Sequence, residues 1–330
     1  MLNADMKLRE DIWEGKVLAP TRQGFGEGLV EAGEADERIV ALSADLTEST
    51  KMDLFEKKFP ERFIQVGVAE QNLVTVASGM ANYGKIPFCT SYAAFSPGRN
   101  WEQIRTTIAL NDVPVKIVGS HAGLLTGPDG ATHQMLEDLA LMRAMPNMTV
   151  LSPCDAEEAR KATIAAAKTD KPVYIRVERE KMPQMTTPKT PFEIGKANLM
   201  WDSKNPAVAL FATGSLLHNA LKAARELEKE GIEVTVTNIH TLKPIDAEAI
   251  AREAKRAGAV VSAEEHQKHG GLGGAIAEVL ARMQPTPMEF VAMNDEFGQS
   301  GTGVELIEHY GLGVKGIVEA AKKVKARSMK

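Results

Sequence analysis

The spacing of apolar residues changes at the segment around Glu70. Ile64, Val66 and Val68 occupy every second position, which predicts a short buried strand. From 73 to 81 the apolar residues recur every three or four positions, which predicts an amphipathic helix. Glu70 therefore lies where a strand passes into a helix, at the carboxyl end of the strand. Open α/β sheets bind their ligands at that edge.

Segments with strand-like and helix-like patterns alternate along the rest of the chain. The predicted strands cover residues 38–43, 62–68, 86–90, 113–119, 148–152, 172–177, 207–212, 232–239, 259–262 and 288–292. Short strands that alternate with helices are typical of parallel, doubly wound sheets. We therefore expect an α/β protein that contains two doubly wound domains.

Prolines recur between the two sets of elements and mark a boundary between domains. The expected division is an N-terminal lead-in at 1–15, a first domain at 16–183, a linker at 184–200 and a second domain at 201–330. The lead-in is mostly polar. We expect it to become ordered only against a partner.

Bulk composition excludes several classes of protein. The chain has 330 residues and a net charge of −5, so it offers no overall attraction to nucleic acid or to an anionic membrane. Its two cysteines, Cys89 and Cys154, do not suggest a disulfide framework. No apolar run approaches the ~18 residues that suggest a membrane span. We expect a cytoplasmic protein.

Residues suited to ligand chemistry follow several of the predicted strands. Besides Glu70 they are Asp45, Tyr92, Phe95, His121, Asp129 and His133. Each has a simpler structural explanation, since the acids can cap or complement helices and the aromatic pair can pack in a core. The carboxyl ends of parallel strands meet at one edge of a sheet, however, so these residues should converge there. This convergence favours a ligand site.

Two segments also carry possible metal or phosphate ligands. His121 and His133 flank Asp129, but their spacing is not that of a common zinc motif, and anion binding or proton transfer fits them better. Residues 264–274 combine Glu, His and Gly after a predicted strand without the frame of a P-loop. Glycines that let a helix pack close to a strand explain this segment equally well. Its role stays open.

Four motifs resemble, in order and spacing, the pyrimidine-binding half of transketolases. They are residues 43–49, 67–72, 91–95 and 121–134, of which the last is the most specific. The aromatic motif is the loosest, because Tyr92 stands where transketolases usually have phenylalanine. The second domain resembles the transketolase C-terminal domain. The resemblance covers nearly the whole chain.

This resemblance implies a thiamine diphosphate enzyme that transfers a two-carbon ketol unit from a ketose phosphate, such as xylulose 5-phosphate, to an aldose phosphate in the pentose phosphate pathway. Glu70 would hydrogen-bond N1′ of the cofactor's aminopyrimidine, in surroundings expected to be apolar. Tyr92 and Phe95 would hold the ring, and Asp45 would help to position the cofactor.

The same resemblance assigns residues to the substrate. Those expected at its phosphate end are Arg22, Ser49, His121 and Arg179. Guanidinium groups suit that role because they bind phosphate with bidentate geometry. Asp129 would recognise a substrate hydroxyl. His133 would bind near the C1 hydroxyl or relay protons.

One departure from the family pattern is large. Full-length transketolases carry a Gly-Asp-Gly motif and a following asparagine that hold Mg²⁺ and the diphosphate, and this chain has no Gly-Asp-Gly. Mg²⁺ needs oxygen ligands, which we therefore expect from a partner subunit. The chain resembles the C-terminal subunit of a split transketolase, inactive alone and paired within an α2β2 complex.

Two kinds of alternative remain. The chain resembles, less closely, the matching half of deoxyxylulose-phosphate synthase or of a 2-oxoacid dehydrogenase β subunit. Ser49, His121, Asp129 and His133 favour sugar-phosphate transfer over oxoacid decarboxylation, but deoxyxylulose-phosphate synthase shares much of this pattern. A regulatory or scaffold subunit that has lost turnover is also possible, although Glu70 and His133 are present.

Overall fold

The computed structural model describes residues 1–328 and contains two large sheets, one of seven strands and one of five. The first half of the chain forms β1 (Leu18–Ala19), α1 (Thr21–Ala35), β2 (Ile39–Ser43), α2 (Asp53–Lys58), β3 (Phe63–Gln65), α3 (Glu70–Asn82), β4 (Ile86–Tyr92), α4 (Trp101–Gln103), β5 (Lys116–Ser120), α5 (Asp138–Ala144), β6 (Thr149–Leu151), α6 (Ala156–Ala167), β7 (Val173–Arg176) and β8 (Met182–Pro183). A π-helical segment, Ile104–Ala109, continues α4.

The second half contains β9 (Asn198–Trp201), β10 (Val208–Ala212), α7 (Leu216–Lys229), β11 (Val234–Asn238), β12 (Thr241–Lys243), α8 (Ala247–Ala257), β13 (Val260–Gln267), α9 (Leu272–Met283), β14 (Met288–Met293), α10 (Gly303–His309) and α11 (Val314–Ser328). None of the helices within residues 1–328 is long and apolar enough to cross a lipid bilayer.

The seven-stranded sheet has the order β12-β6-β7-β5-β4-β2-β3, and all its pairs are parallel except β12 with β6. Alternate residues of β2 enter different cores: Ile39 and Ala41 pack with α1, α2 and α6, whereas Val40 and Leu42 pack with α3 and α5. Helices therefore cover both faces, which confirms the predicted doubly wound α/β architecture.

The strand that precedes Glu70 differs from its prediction. It is shorter than predicted, lies at the edge of the sheet and pairs only with β2. Its residues are half-buried or exposed, and Val68 beyond it is 71% exposed. The prediction of a buried strand was therefore wrong for this segment, because an edge strand has a neighbour on one side only.

The five-stranded sheet has the order β14-β13-β10-β11-β9. Its edge strand β9 begins at Asn198, so the last residues of the predicted linker belong to the second sheet. The lead-in is also ordered against this sheet: Leu2 bridges to Trp201, and Ile12 is buried in the second domain's core. The expectation that the lead-in needs a partner was wrong, because this chain's own second domain covers its apolar side chains.

Residues 264–266 lie inside a strand, since β13 runs on to Gln267. The Glu264 carboxylate accepts hydrogen bonds from the main-chain N–H groups of Leu272 (2.6 Å) and Gly273 (2.8 Å), at the start of α9. A Cβ on Gly273 would lie 2.3 Å from the Phe290 ring, so the helix packs close to the sheet there. The Glu264 carboxylate already accepts hydrogen bonds from the N–H groups that a phosphate would need. This supports the explanation that the glycines of the segment serve close packing of the helix on the sheet.

A buried ion pair lies where the two domains meet. Arg176 donates from Nη1 to Oδ1 of Asp138 (2.7 Å) and from Nη2 to the main-chain oxygen of Glu265 in the second domain (2.7 Å). The Glu265 carboxylate accepts from the Leu125 N–H and the Ser215 hydroxyl, both at 2.7 Å. These bonds hold the second domain beside the loop that follows β5.

Candidate active site

The predicted site residues lie around the carboxyl ends of the central strands. Tyr92 ends β4, His121 follows β5, and Arg179 lies three residues beyond β7. Arg22 is the second residue of α1. The N-terminus of this helix is held at the end of β7, because the Glu178 N–H donates to the Thr21 hydroxyl at 2.6 Å. Parallel pairing thus brings distant segments to one edge of the sheet.

Close packing of two helices also fixes the position of Arg22. α1 lies against α6 so tightly that a Cβ on Gly24 would be 1.7 Å from the main-chain oxygen of Ala156. A side chain at Gly24 would push α1 outward. The small residue therefore keeps the first turn of α1, and with it Arg22, close to the strand ends.

Glu70 is the first residue of α3 and is only 2% exposed. Its Oε2 accepts a hydrogen bond from Nη1 of Arg99 at 2.7 Å, and its Oε1 accepts one from the Ser91 hydroxyl at 3.4 Å. Asn100 Nδ2 donates to its main-chain oxygen at 2.8 Å. The carboxylate therefore faces the end of β4 and the segment that follows it. Its partners are polar, so the expectation of apolar surroundings was wrong.

Aromatic rings form the next part of the site. Tyr92 and Phe95 are stacked with centroids 6.0 Å apart, and Tyr92 also stacks on the His121 ring at 3.8 Å. His133 contacts Phe95 edge-on at 5.3 Å. The Arg99 guanidinium lies over the Phe95 ring, with Cζ 4.7 Å from its centroid. A planar, partly exposed platform is therefore present next to Glu70.

His121 is buried between this platform and the arginines. Its Nδ1 pairs with the Ser120 hydroxyl (2.9 Å) and its Nε2 with Nη1 of Arg22 (3.2 Å). Burial, with the charges of Arg22 and Arg179, lowers the pKa of His121 to about 3. The ring is therefore neutral near pH 7, and positive charge at this position comes from the arginines alone.

Arg22 and Arg179 concentrate positive charge beside His121. Nη1 of Arg22 donates to the main-chain oxygen of Ser49 at 2.6 Å, and its buried Nε has no hydrogen-bond partner among residues 1–328. Burial and the nearby Arg179 lower the pKa of Arg22. Arg179 lies 3.5 Å from the Asp129 carboxylate. Two guanidinium groups, of which only Arg179 is paired with a carboxylate, suit a bound anion.

Some predicted residues are less closely connected. Asp45 is exposed in left-handed backbone geometry (φ 61°), and its N–H donates to Oε1 of Gln65 at 2.8 Å. Its carboxylate forms no hydrogen bond to another predicted site residue within the described part of the chain. Ser49 contacts Arg22 through its main-chain oxygen only. His133 pairs with the Thr132 hydroxyl at 2.9 Å.

Sequence reasoning missed the residues that hold Glu70. Arg99, Ser91 and Asn100 contact it across 29, 21 and 30 positions respectively. Ser91 is the first residue of the aromatic motif and the other two follow it closely, so proximity to the motif was the only available signal. No periodicity identified Arg99, because it follows Pro97 and Gly98 in a turn.

Two family models match this chain. The transketolase pyrimidine-binding domain matches residues 19–185, and the transketolase C-terminal domain matches residues 195–317. The chain belongs to the transketolase family. The resemblance of the four motifs is thereby confirmed, as is the expected fold class.

Transketolase-family proteins of similar length are close relatives. The putative transketolase C-terminal section of Methanocaldococcus jannaschii is 42% identical, over 92% of this chain and 96% of that protein. The 6-deoxy-6-sulfo-D-fructose transketolase subunit SqwH of Clostridium sp. is 41% identical, over 93% and 94%. A solved structure described as a split gene transketolase, inactive beta4 tetramer, is 45% identical, with a TM-score of 0.87 and coverage of 93% and 98%.

Proposed function

We propose that this chain is the C-terminal subunit of a two-subunit transketolase and holds the aminopyrimidine end of thiamine diphosphate. The observation that carries the proposal is the buried Glu70 carboxylate beside the Phe95 ring. A planar group that donates an N–H to Glu70 and lies over Phe95 already occupies this position, namely the Arg99 guanidinium. An aminopyrimidine protonated at N1′ offers the same planar shape and N–H donor, so the residues fit it.

The cofactor, when bound, supplies an electron sink that carries the two-carbon unit between sugars. Glu70 would hold the proton at N1′ of the pyrimidine, and its burial keeps water away from that hydrogen bond. Tyr92 and Phe95 would provide the apolar surface for the ring. Asp45 would approach the cofactor from the end of β2.

Mg²⁺ and the diphosphate would be held by a partner chain that carries Gly-Asp-Gly. The absence of that motif from the sequence supports this division of the site. We propose that two copies of this chain pair with two copies of the partner, so that each cofactor lies between chains. The isolated chain would then be inactive.

The arginine cluster would bind the anionic end of the sugar. Arg22 and Arg179 supply charge, and neutral His121 lines the same position. The named substrate of one relative carries a sulfonate, which, like a phosphate, presents several oxygen acceptors. We therefore propose a phosphorylated or sulfonated ketose as the donor. Asp129 would recognise a hydroxyl, and His133 would lie near the C1 hydroxyl or relay protons.

Arg179→Ala should raise KM for phosphorylated sugars at least about tenfold with a smaller change in kcat, since a charge-assisted hydrogen bond contributes roughly 1.5–3 kcal/mol. Steady-state kinetics of the reconstituted complex test this. Arg282→Ala, at an exposed position of α9, is the control and should leave KM unchanged. An equal loss with unphosphorylated sugars would refute the role of Arg179.

The proposed function is tested by reconstitution. Ketol transfer from xylulose 5-phosphate or 6-deoxy-6-sulfofructose to ribose 5-phosphate is measured with thiamine diphosphate and Mg²⁺, using this chain, a Gly-Asp-Gly partner, and both together. We expect activity only from the mixture. A mixture that binds the cofactor but transfers no ketol unit would point to another thiamine reaction. Failure of the chains to associate would favour a scaffold role.

A further inference from the structure

Arg99 makes two contacts that the proposed function assigns to the cofactor. Its Nη1 donates to Oε2 of Glu70 at 2.7 Å, and its guanidinium lies over the Phe95 ring with Cζ 4.7 Å from the centroid. These are the hydrogen bond and the ring contact proposed for the aminopyrimidine. Arg99 and the pyrimidine therefore need the same carboxylate oxygens and the same platform.

The carboxylate has little other support. Besides Arg99, the only hydrogen bond to it among residues 1–328 is the long one, 3.4 Å, from the Ser91 hydroxyl. A buried carboxylate without a partner carries a large desolvation cost. Arg99 thus stabilises the cofactor-free chain by providing the missing counter-charge.

Arg99 itself is held by few contacts. Its side chain is 50% exposed, whereas that of Glu70 is 2% exposed. The side chain of Arg99 has no hydrogen-bond partner other than Glu70 within the described residues. Its long side chain can therefore move into solvent, where water solvates the guanidinium charge. The buried Glu70 carboxylate cannot do the same, so only the glutamate needs a partner.

We propose that Arg99 is a displaceable internal counter-ion that occupies the pyrimidine position until the cofactor binds. This inference rests on the proposed function, because it assigns the pyrimidine to Glu70 and Phe95. Binding of thiamine diphosphate must break the Arg99–Glu70 pair, and the free energy of that pair is subtracted from the cofactor's affinity. Arg99 thereby lowers affinity while it stabilises the cofactor-free protein.

The proposal predicts opposite effects of one substitution on two equilibria. Arg99→Met keeps a flexible apolar side chain over Phe95 but removes the charge and the donor. We expect thiamine diphosphate to bind the reconstituted complex at least about fivefold more tightly, which is the lower end of typical coupling between sites. The same variant should lower the Tm of the cofactor-free complex, and saturating cofactor should remove that difference.

The measurements are isothermal titration calorimetry of thiamine diphosphate with Mg²⁺ and thermal unfolding with and without cofactor. Arg99→Lys, which keeps the charge, should give an affinity between those of the wild type and Arg99→Met. Arg252→Met is the matched control: Arg252 is another half-exposed arginine paired with a buried glutamate, Glu253, but it lies in α8. It should leave cofactor affinity unchanged.

The outcomes separate this inference from the function on which it rests. Weaker binding by Arg99→Met would mean that Arg99 contacts the bound cofactor and would overturn the proposal. Unchanged affinity would also overturn it, because the pair would then not compete with the pyrimidine. In both cases the wild-type complex still binds thiamine diphosphate. A wild-type complex without measurable binding would refute the proposed function itself.

Discussion

Glu70→Gln is expected to reduce kcat of the reconstituted complex by at least about 100-fold, the lower end of what a positioned proton-transfer group contributes. The amide has nearly the same shape as the carboxylate, but it is neutral and cannot hold the N1′ proton. Because Glu70 is buried, water cannot easily replace it in this role. Ketol transfer by the variant complex measures the effect.

A change in folding must be separated from this loss of activity. Glu226→Gln, at an exposed position of α7, is the matched control and should retain wild-type kcat. Circular dichroism and subunit association should be unchanged for both variants. If Glu70→Gln retained near-wild-type kcat, the proposed position of the pyrimidine would be wrong.

Arg176→Met should lower the free energy of unfolding by about 3–5 kcal/mol, the usual effect of breaking a buried ion pair from one side. The variant leaves the buried Asp138 carboxylate with the Tyr174 hydroxyl (2.7 Å) as its remaining side-chain partner. It also removes the hydrogen bond to the Glu265 main-chain oxygen in the other domain. Urea denaturation followed by circular dichroism gives the value.

The loss should grow with pH. Burial, followed by the charge of Glu265, raises the pKa of Glu178 to about 8, while Arg176 opposes that rise. The pKa of Glu178 is therefore about 8 in the folded chain and about 4.5 in the unfolded chain. The stability that this difference contributes is fully present below about pH 4.5 and is lost as pH rises to about 8. Without Arg176 the pKa of Glu178 rises further, so the variant continues to lose stability as pH rises beyond about 8, where the loss in the wild type ends.

Arg38→Met serves as the control, since Arg38 pairs with Asp36 on the exposed surface and should change neither the free energy of unfolding nor its pH dependence measurably. An Arg176→Met variant as stable as the wild type at pH 8 would show that the contact between the domains does not depend on this ion pair.

Local pattern predicted most elements of the two sheets correctly. The period change at Glu70 marked the start of α3, and the compact apolar runs became β2, β4, β5 and β7. Four short strands, β1, β8, β9 and β12, were missed. β12 has three residues and joins the sheet of the first domain although it lies in the second half of the chain. A strand of that length has no periodicity to detect.

The candidate site was only partly predictable, because local sequence patterns do not determine which side chains meet. Tyr92, Phe95 and His121 come together as expected, because each lies at the end of a parallel strand of one sheet or just beyond it. Asp45 is predicted at the same edge, yet its carboxylate forms no hydrogen bond with another predicted site residue in residues 1–328. Strand ends determine which edge a residue occupies, but not which neighbour its side chain contacts.

The sequence by itself determined the α/β architecture, the transketolase motifs and the position of Glu70 at a strand end, because these depend on residue spacing within short windows. Only the tertiary structure decided that Arg99 satisfies Glu70 and that Arg176 links the two domains. It also decided that the lead-in packs on the second domain. A buried charge takes its partner from whichever segments the sheet brings adjacent, and that adjacency is a property of the whole fold.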